Sequence, residues 1–195
     1  MKRNLITIKQ CCTLKMGYSF RQKPDFAADG NALVIQPKDI TSDGIWVPDF
    51  DCRIHSSSEN RLASGDVLLI SRGRFTAFTF DGKAKEPCIA TSAFLIVTPK
   101  KPTQLLPAYL ALFFNSAECQ NSFKRLHSTT TIPFISLNSL ESLKIPLPPV
   151  EQQEALVALD QMNKAYSRLS SRKLYLQKQL LDNELTLLTQ EHSHV

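Results

Sequence analysis

The chain contains 195 residues, of which 43% are hydrophobic, and its formal net charge is +5. No apolar run approaches the roughly 20 residues that would span a bilayer, and the N-terminus lacks the apolar core of a secretory signal, so we expect a cytoplasmic protein. The five cysteines form no C-x-x-C spacing, and the four histidines stand in no metal-ligand register with them, so no metal site is expected.

The first hundred residues carry the pattern of short β-strands. Runs rich in β-branched and aromatic residues alternate with turn sequences such as Asp81-Gly82. The predicted strands are Asn4–Lys9, Leu33–Gln36, Val67–Ile70, Phe75–Phe80 and Ala93–Thr98.

Two short helices are predicted next. The first begins at Pro107, a residue that suits the first helical position, and runs to Asn115, and the second runs from Ala117 to about Arg125. Residues 132–135 and 143–145 would add two more strands. The predicted fold class is α+β: a mixed β domain with short helices, followed by one long C-terminal helix of the coiled-coil type.

A proline-rich hinge separates this domain from the long helix. Residues 146–149 include three prolines, whereas residues 151–195 contain neither proline nor glycine. Because proline fixes φ and disfavours helix in the residue before it, the helix can begin only at Pro149 or Val150. We therefore predict a domain over residues 1–148, a long helix over residues 149–190 and a frayed tail over residues 191–195.

The long helix carries an apolar seam at alternating spacings of three and four residues. Of ten seam positions starting at Ala155, eight are apolar or aromatic, which favours a coiled coil with Lys173 and Asn183 setting its register. A helix folded back on its own domain is the alternative. The predicted pairing residues are Leu159, Met162, Tyr166, Leu169, Leu176, Leu180 and Leu187.

Basic charge is concentrated in the first domain. Residues 1–149 hold 18 Lys/Arg and 12 Asp/Glu, a net charge of +6, whereas residues 150–195 hold five and six, a net charge of −1. A basic domain suits a polyanion such as DNA, and the turn Ser71-Arg72-Gly73-Arg74 offers two guanidinium groups to guanine edges or phosphates. The candidate DNA-binding residues are Arg21, Lys23, Arg72, Arg74, Lys83, Lys85, Lys124, Arg125, Thr129 and Thr130.

Two other functions compete with DNA recognition. Pro48-Asp49 and Asp81-Gly82-Lys83 fit the loose pattern of a Mg²⁺-dependent endonuclease, although the second segment is also an ordinary hairpin turn. The sequence has no phosphate-binding loop, zinc spacing or nucleophile elbow, so no catalytic residue is predicted. A coiled-coil assembly or regulatory protein that does not read DNA is the other possibility.

Several segments, in order, resemble the DNA-specificity (S) subunits of type I restriction–modification systems. The resemblance covers most of the chain and is carried by Gly17–Arg21, Gln36–Ile40, Leu62–Gly73, the helix from Pro107 to Phe114, Ile135–Leu143, and Ile145–Pro149 leading to Gln153. It implies a target recognition domain followed by a spacer helix. The usual subunit of this family has two of each, whereas this chain has one, so it resembles a half-length form or the product of a truncated gene.

The resemblance also implies the partners. We expect double-stranded DNA, a methyltransferase (M) subunit and, through it, a restriction (R) subunit, with S-adenosylmethionine, ATP and Mg²⁺ used by those partners and no cofactor bound by this chain. A homodimer through antiparallel helices would restore the two-domain layout with twofold symmetry, and would read a bipartite site.

Overall fold

The computed structural model describes residues 5–20, 29–42, 44–125 and 133–191, without the side chains of Ser58 and residues 187–191. The chain divides into two compact units, residues 1–157, here called the body, and residues 158–195. The elements, in chain order, are β1 (Leu5–Thr7), α1 (Ile8–Cys11), β2 (Cys12–Met16), β3 (Ala32–Ile35), β4 (Arg53–Ile54), β5 (Val67–Ile70), β6 (Ala77–Thr79), β7 (Cys88–Ala90), β8 (Phe94–Pro99), α2 (Pro107–Asn115), α3 (Ala117–Arg125), α4 (Leu137–Glu141), β9 (Lys144–Pro146) and α5 (Val150–Glu191).

The described strands form sheets that draw on distant parts of the chain. The largest has the order β2-β8-β5-β6 and is antiparallel throughout. A second has the order β4-β3-β7, in which β3 runs parallel to β7 and antiparallel to β4. The pair β1 and β9 brings the beginning of the described chain against the segment that precedes α5, with Leu5 opposite Pro146.

The central strand β5 is buried on both faces, which explains its unbroken apolar sequence. Val67 and Leu69 belong to a core cluster that includes α2 and α3, whereas Leu68 and Ile70 belong to a cluster shared with β3 and β7. Successive side chains of a strand point to opposite faces, so one strand supplies both cores.

The predicted fold class is confirmed, and the bounds of β5, α2 and α3 match the sequence prediction. The predicted strand Asn4–Lys9 is wrong beyond Thr7, where α1 begins. Gln10 Oε1 accepts hydrogen bonds from the backbone N and the Oγ1 of Thr7, so a capping arrangement ends the strand. The elements β2, β4, β7 and α4 were not predicted. Of the predicted strand 132–135, Phe134 forms an isolated bridge to Arg72, and Ile132 lies outside the described residues.

The first turns of α5 are tied to the body by Gln153, whose side chain is fully buried. Its Oε1 accepts a hydrogen bond from the backbone N of Leu106 at 2.9 Å, immediately before α2. Its Nε2 donates to the carbonyl oxygens of Gln104 at 2.8 Å and Pro148 at 2.9 Å. One buried amide therefore joins the start of α2, the loop before it and the proline hinge.

We predict that Gln153→Ala lowers the free energy of unfolding by about 2–3 kcal/mol, because it removes three hydrogen bonds to partly buried backbone groups and leaves a void where the buried side chain stood. The neighbouring Gln152 is exposed, so Gln152→Ala is a matched control expected to stay within about 0.5 kcal/mol. Urea unfolding followed by circular dichroism measures both. Equal stability of the two variants would contradict the assigned role of Gln153.

Candidate nucleic-acid interface

The turn after β5 presents Arg72 beside an aromatic ring. Gly73 takes a positive φ of 75°, which reverses the chain directly after Arg72. The turn is held by hydrogen bonds from Gly73 N to Pro133 O at 2.9 Å and from Ile135 N to Ser71 O at 2.8 Å. The exposed Arg72 places its guanidinium 5.1 Å from the centroid of the Phe134 ring. This stacking orients the guanidinium and leaves its hydrogen-bond donors available to a ligand.

Arg74, the second candidate DNA-binding residue of the same turn, has a structural role. Its Nη2 donates to the carbonyl oxygen of Pro37 at 3.0 Å and also to that of Ile40. Arg74 therefore fastens the turn after β5 to the short helical turn at Pro37–Asp39. Arg72 is consequently the stronger candidate for contact with DNA.

The segment from Gln36 to Asp49 continues from this junction as a small hairpin. Ile40 bridges Trp46, and Val47 N donates to Asp39 O at 2.8 Å. Lys38 Nζ lies 2.5 Å from Asp49 Oδ2 and 3.3 Å from Asp39 Oδ1. The hydrogen bond with Asp49 raises the pKa of Lys38, and the same bond lowers the pKa of Asp49. The loop after Trp46 is thereby held to Lys38.

A cavity of about 490 Å³ opens beside this hairpin and contains two of the predicted DNA-binding residues. Trp46 and Phe50 supply aromatic walls, and the charged lining residues are Lys83, Lys85, Asp81 and Glu86. Lys83 Nζ lies 3.4 Å from Asp81 Oδ2, and Glu86 is paired with Arg53, so Lys85 is the lining lysine without a described ion pair. Phe50 is 60% exposed. An exposed aromatic ring next to lysines is able to pack against a base or sugar while the lysines contact phosphates.

The position of Phe50 is fixed by an ion pair. Arg53 Nε donates to Phe50 O at 2.8 Å, while its two terminal nitrogens donate to the two carboxylate oxygens of Glu86. The Phe50 loop is therefore held next to the Lys83–Glu86 segment. Sequence reasoning missed Trp46 and Phe50 as site residues, although Trp46 is the one tryptophan of the chain.

The remaining predicted DNA-binding residues are not brought into these contacts. Lys124 and Arg125 are exposed in the last turn of α3, where Arg125 Nη2 donates to Ser122 Oγ at 3.1 Å. The rest of the set, namely Arg21, Lys23, Thr129 and Thr130, lies outside the described residues.

The acidic side chains of the endonuclease hypothesis, Asp49 and Asp81, are engaged by neighbouring groups. Asp49 is engaged by Lys38, and Asp81 Oδ1 accepts a hydrogen bond from the backbone N of Lys83, as in an ordinary turn. Across residues 5–20, 29–42, 44–125 and 133–191, no group of three or more His, Cys, Asp or Glu side chains is placed to hold a metal ion.

The predicted seam residues of α5 are exposed. The exposed fractions are 54% for Leu159, 69% for Met162, 74% for Tyr166 and 71% for Leu169, with Leu176 and Leu180 at 47% and 63%. The side chain of Leu187 lies outside the described set. A row of exposed apolar residues along one helix is typical of a surface that another helix covers.

The sequence model of the Type I restriction modification DNA specificity domain (Methylase_S) matches residues 4–175. The match covers well over half of the chain, so the chain belongs to this family. The resemblance to type I specificity subunits is thus confirmed, and with it the prediction of a non-catalytic specificity component. No curated protein matches the chain.

Solved structures of type I systems share the fold. One comes from work on complex assembly and conformational transition of the type I R-M system. It has a TM-score of 0.61 at 22% identity, and the alignment covers 85% of this chain and 39% of the matched chain. The HsdS subunit from Thermoanaerobacter tengcongensis has a TM-score of 0.58 at 22% identity, with coverages of 85% and 38%. The type I S subunit from M. genitalium has a TM-score of 0.56 at 16% identity, with coverages of 87% and 42%. The chain therefore spans about 40% of the length of these structures.

The two arginines of the turn should behave differently when replaced. We predict that Arg74→Ala lowers the free energy of unfolding by about 1–3 kcal/mol, since two backbone carbonyls lose a charged donor. Arg72→Ala should cost at most about 1 kcal/mol, the value of an exposed cation–π contact. Thermal and urea unfolding of both variants test this order, and a larger loss for Arg72→Ala would reverse the assignment.

Proposed function

We propose that this chain is a half-length DNA specificity subunit that directs a partner adenine methyltransferase to a bipartite site. The observation that carries the proposal is the extent of the family match, which includes both the sheet-based body and most of α5. One target recognition domain would read one half of the site. A second copy, joined through the helices, would read the other half.

The side chains that support DNA recognition are connected by a continuous series of contacts. Arg72 sits on the turn that Arg74 fastens to Pro37 and Ile40, and Ile40 in turn bridges Trp46 beside the cavity. A guanidinium oriented by an aromatic ring suits the bidentate acceptor edge of guanine. The cavity lysines suit phosphates, and the exposed ring of Phe50 suits an apolar contact to a base or sugar.

The seam of α5 supports pairing with a second copy. The helix has 42 residues, which corresponds to a length of about 63 Å. Antiparallel pairing of two such helices gives twofold symmetry, which in turn requires a site with two inverted halves separated by a gap. The helix length bounds the separation of the half-site centres at about 18 base pairs.

The remaining partners follow from the family. The methyltransferase subunit would carry S-adenosylmethionine, and a restriction subunit recruited through it would use ATP and Mg²⁺, with the whole complex in the cytoplasm. In the described residues, no helix combines the length and apolar character needed to cross a membrane.

Co-expression of the chain with its methyltransferase tests the proposal. We expect the two proteins to co-purify and the methylated adenines to fall in one interrupted, inverted sequence. A coiled-coil protein that does not read DNA would leave methylation unchanged when this chain is withdrawn, and that result would contradict the proposal.

Single substitutions should separate base reading from phosphate contact. We predict that Arg72→Ala costs about 1–3 kcal/mol in binding to the cognate site and relaxes one base position. Lys85→Ala should weaken binding to all sequences alike and lower the salt dependence by about one unit of slope. Fluorescence anisotropy with cognate and single-mismatch duplexes at several salt concentrations distinguishes these outcomes, and a uniform loss for Arg72→Ala would show that this residue does not read bases.

The seam should control the oligomeric state. Leu169 lies near the middle of α5, so in an antiparallel pair the two copies of this residue approach the twofold axis. We predict that Leu169→Asp converts the dimer to a monomer, because it places two carboxylates together in the seam, whereas Gln161→Asp on an exposed polar position does not. Sedimentation equilibrium measures the mass of each. A monomeric unsubstituted chain at micromolar concentration would refute the dimer.

A further inference from the structure

The charges of α5 are separated into blocks along its length. Between Asp160 and Asp182 the sequence contains five Lys/Arg and no Asp or Glu. Lys164 is paired with Asp160 at 2.9 Å and is partly covered. The basic residues beyond this pair begin at Arg168 and are exposed.

Most of these residues share one face of the helix. With about 100° of rotation per residue, Arg168, Arg172 and Lys178 fall within about 120° of one another, together with Tyr175 and Gln179. We call these five residues the basic face. Its centre lies about 130° round the helix from the apolar seam, so pairing through the seam would leave it uncovered. The remaining basic residue of this segment, Lys173, lies in the apolar seam instead.

Three side chains of the basic face, Arg172, Tyr175 and Gln179, contact one another. The guanidinium of Arg172 lies 5.4 Å from the centroid of the Tyr175 ring. The hydroxyl of Tyr175 accepts a hydrogen bond from Gln179 Nε2 at 2.8 Å, and its own hydrogen is still able to donate to a ligand. Cations interleaved with hydroxyl and amide donors match the groups that contact phosphate oxygens in protein–DNA complexes.

We infer that the basic face of α5 binds the sugar–phosphate backbone of DNA without reading its sequence. This inference rests on the proposed function, and it extends DNA contact from the recognition domain to the gap between the two half-sites. From Arg168 to Lys178 the helix rises about 15 Å, which is equivalent to about four base pairs of duplex. The basic face would therefore contribute affinity, while sequence choice stays with the body.

DNA fits this face better than an acidic protein surface does. The body of the same chain also carries net positive charge, so a polyanion is the class of ligand that both would attract. Neutralisation of phosphates releases counterions, and this gives the contact a salt dependence that can be measured independently of sequence.

The test compares a triple variant of the full chain, Arg168→Gln, Arg172→Gln and Lys178→Gln, with a charge-matched control, Lys15→Gln, Lys101→Gln and Lys144→Gln. The control residues are exposed and lie outside both the basic face and the candidate interface. Binding to 30-base-pair duplexes of random sequence is measured by anisotropy from 50 to 200 mM salt. We expect the slope of log K against log salt to fall by about 2–3 per bound protomer for the triple variant and to be nearly unchanged for the control.

A second variant examines the same face without a change of charge. Tyr175→Phe removes the hydroxyl donor and should weaken binding about threefold with an unchanged slope. Circular dichroism and sedimentation are used to check that each variant keeps the helix and the oligomeric state of the unsubstituted chain.

The outcomes separate the inference from the function on which it rests. Equal slopes for the triple variant and the control, with unaltered binding by Tyr175→Phe, would overturn the inference alone. Failure of the unsubstituted chain to bind any duplex at 50 mM salt would overturn the inference together with DNA recognition by this chain.

Discussion

The buried amide of Gln153 is the interaction on which the arrangement of the body depends. Its side chain hydrogen-bonds the backbone N of Leu106 and the carbonyl oxygens of Gln104 and Pro148. Because a glutamine offers an acceptor and a donor pair on one planar group, it connects three backbone segments at once.

The hinge and the β1–β9 pair complete this connection. Pro148 and Pro149 remove backbone donors at a point where the chain passes from strand to helix. Strand β9 pairs with β1, so the segment that leads into α5 is also held by the beginning of the chain. In addition, Tyr109 Oη donates to Pro146 O at 2.9 Å, which ties the hinge to α2. The start of the long helix is therefore fixed from three directions within the body.

Two kinds of surface follow from this architecture. The turn of Arg72 and the cavity of Trp46 and Phe50 belong to the body, where sheets and ion pairs hold each side chain in place. The seam and the basic face belong to α5, where helical spacing arranges them, with contacts around Tyr175 in addition. Rigid positioning suits selection among bases, whereas periodic charge and apolar stripes suit contacts that are the same at every sequence.

Elements with strong local signals could be predicted from the sequence. The apolar run Val67–Ile70, the helix-starting Pro107 and the proline hinge each specify their element within a few residues. Strands β2 and β7 could not be recognised in this way. Each is held as a strand by pairing with a strand more than 50 residues away, and β2 also carries exposed polar side chains such as Thr13 and Lys15.

In the candidate site, features formed by residues adjacent in sequence could be predicted, whereas features formed by residues that the fold brings together could not. The turn containing Arg72 was identifiable because a strand, a glycine and two arginines are adjacent in sequence. The different tasks of Arg72 and Arg74 depend on Phe134 and Ile40, which only the fold brings near. Phe50 was missed for the same reason, since its exposure beside Lys83 and Lys85 depends on Arg53 and Glu86.

The central claim is that two copies of one recognition domain act on one DNA molecule. Selection from a pool of randomised duplexes, with the purified chain and its methyltransferase, tests this claim most directly. The account predicts that the selected sequences contain one short motif twice, in inverted orientation and with a constant gap. Enrichment of a single motif, of two unrelated motifs, or of no motif would contradict it.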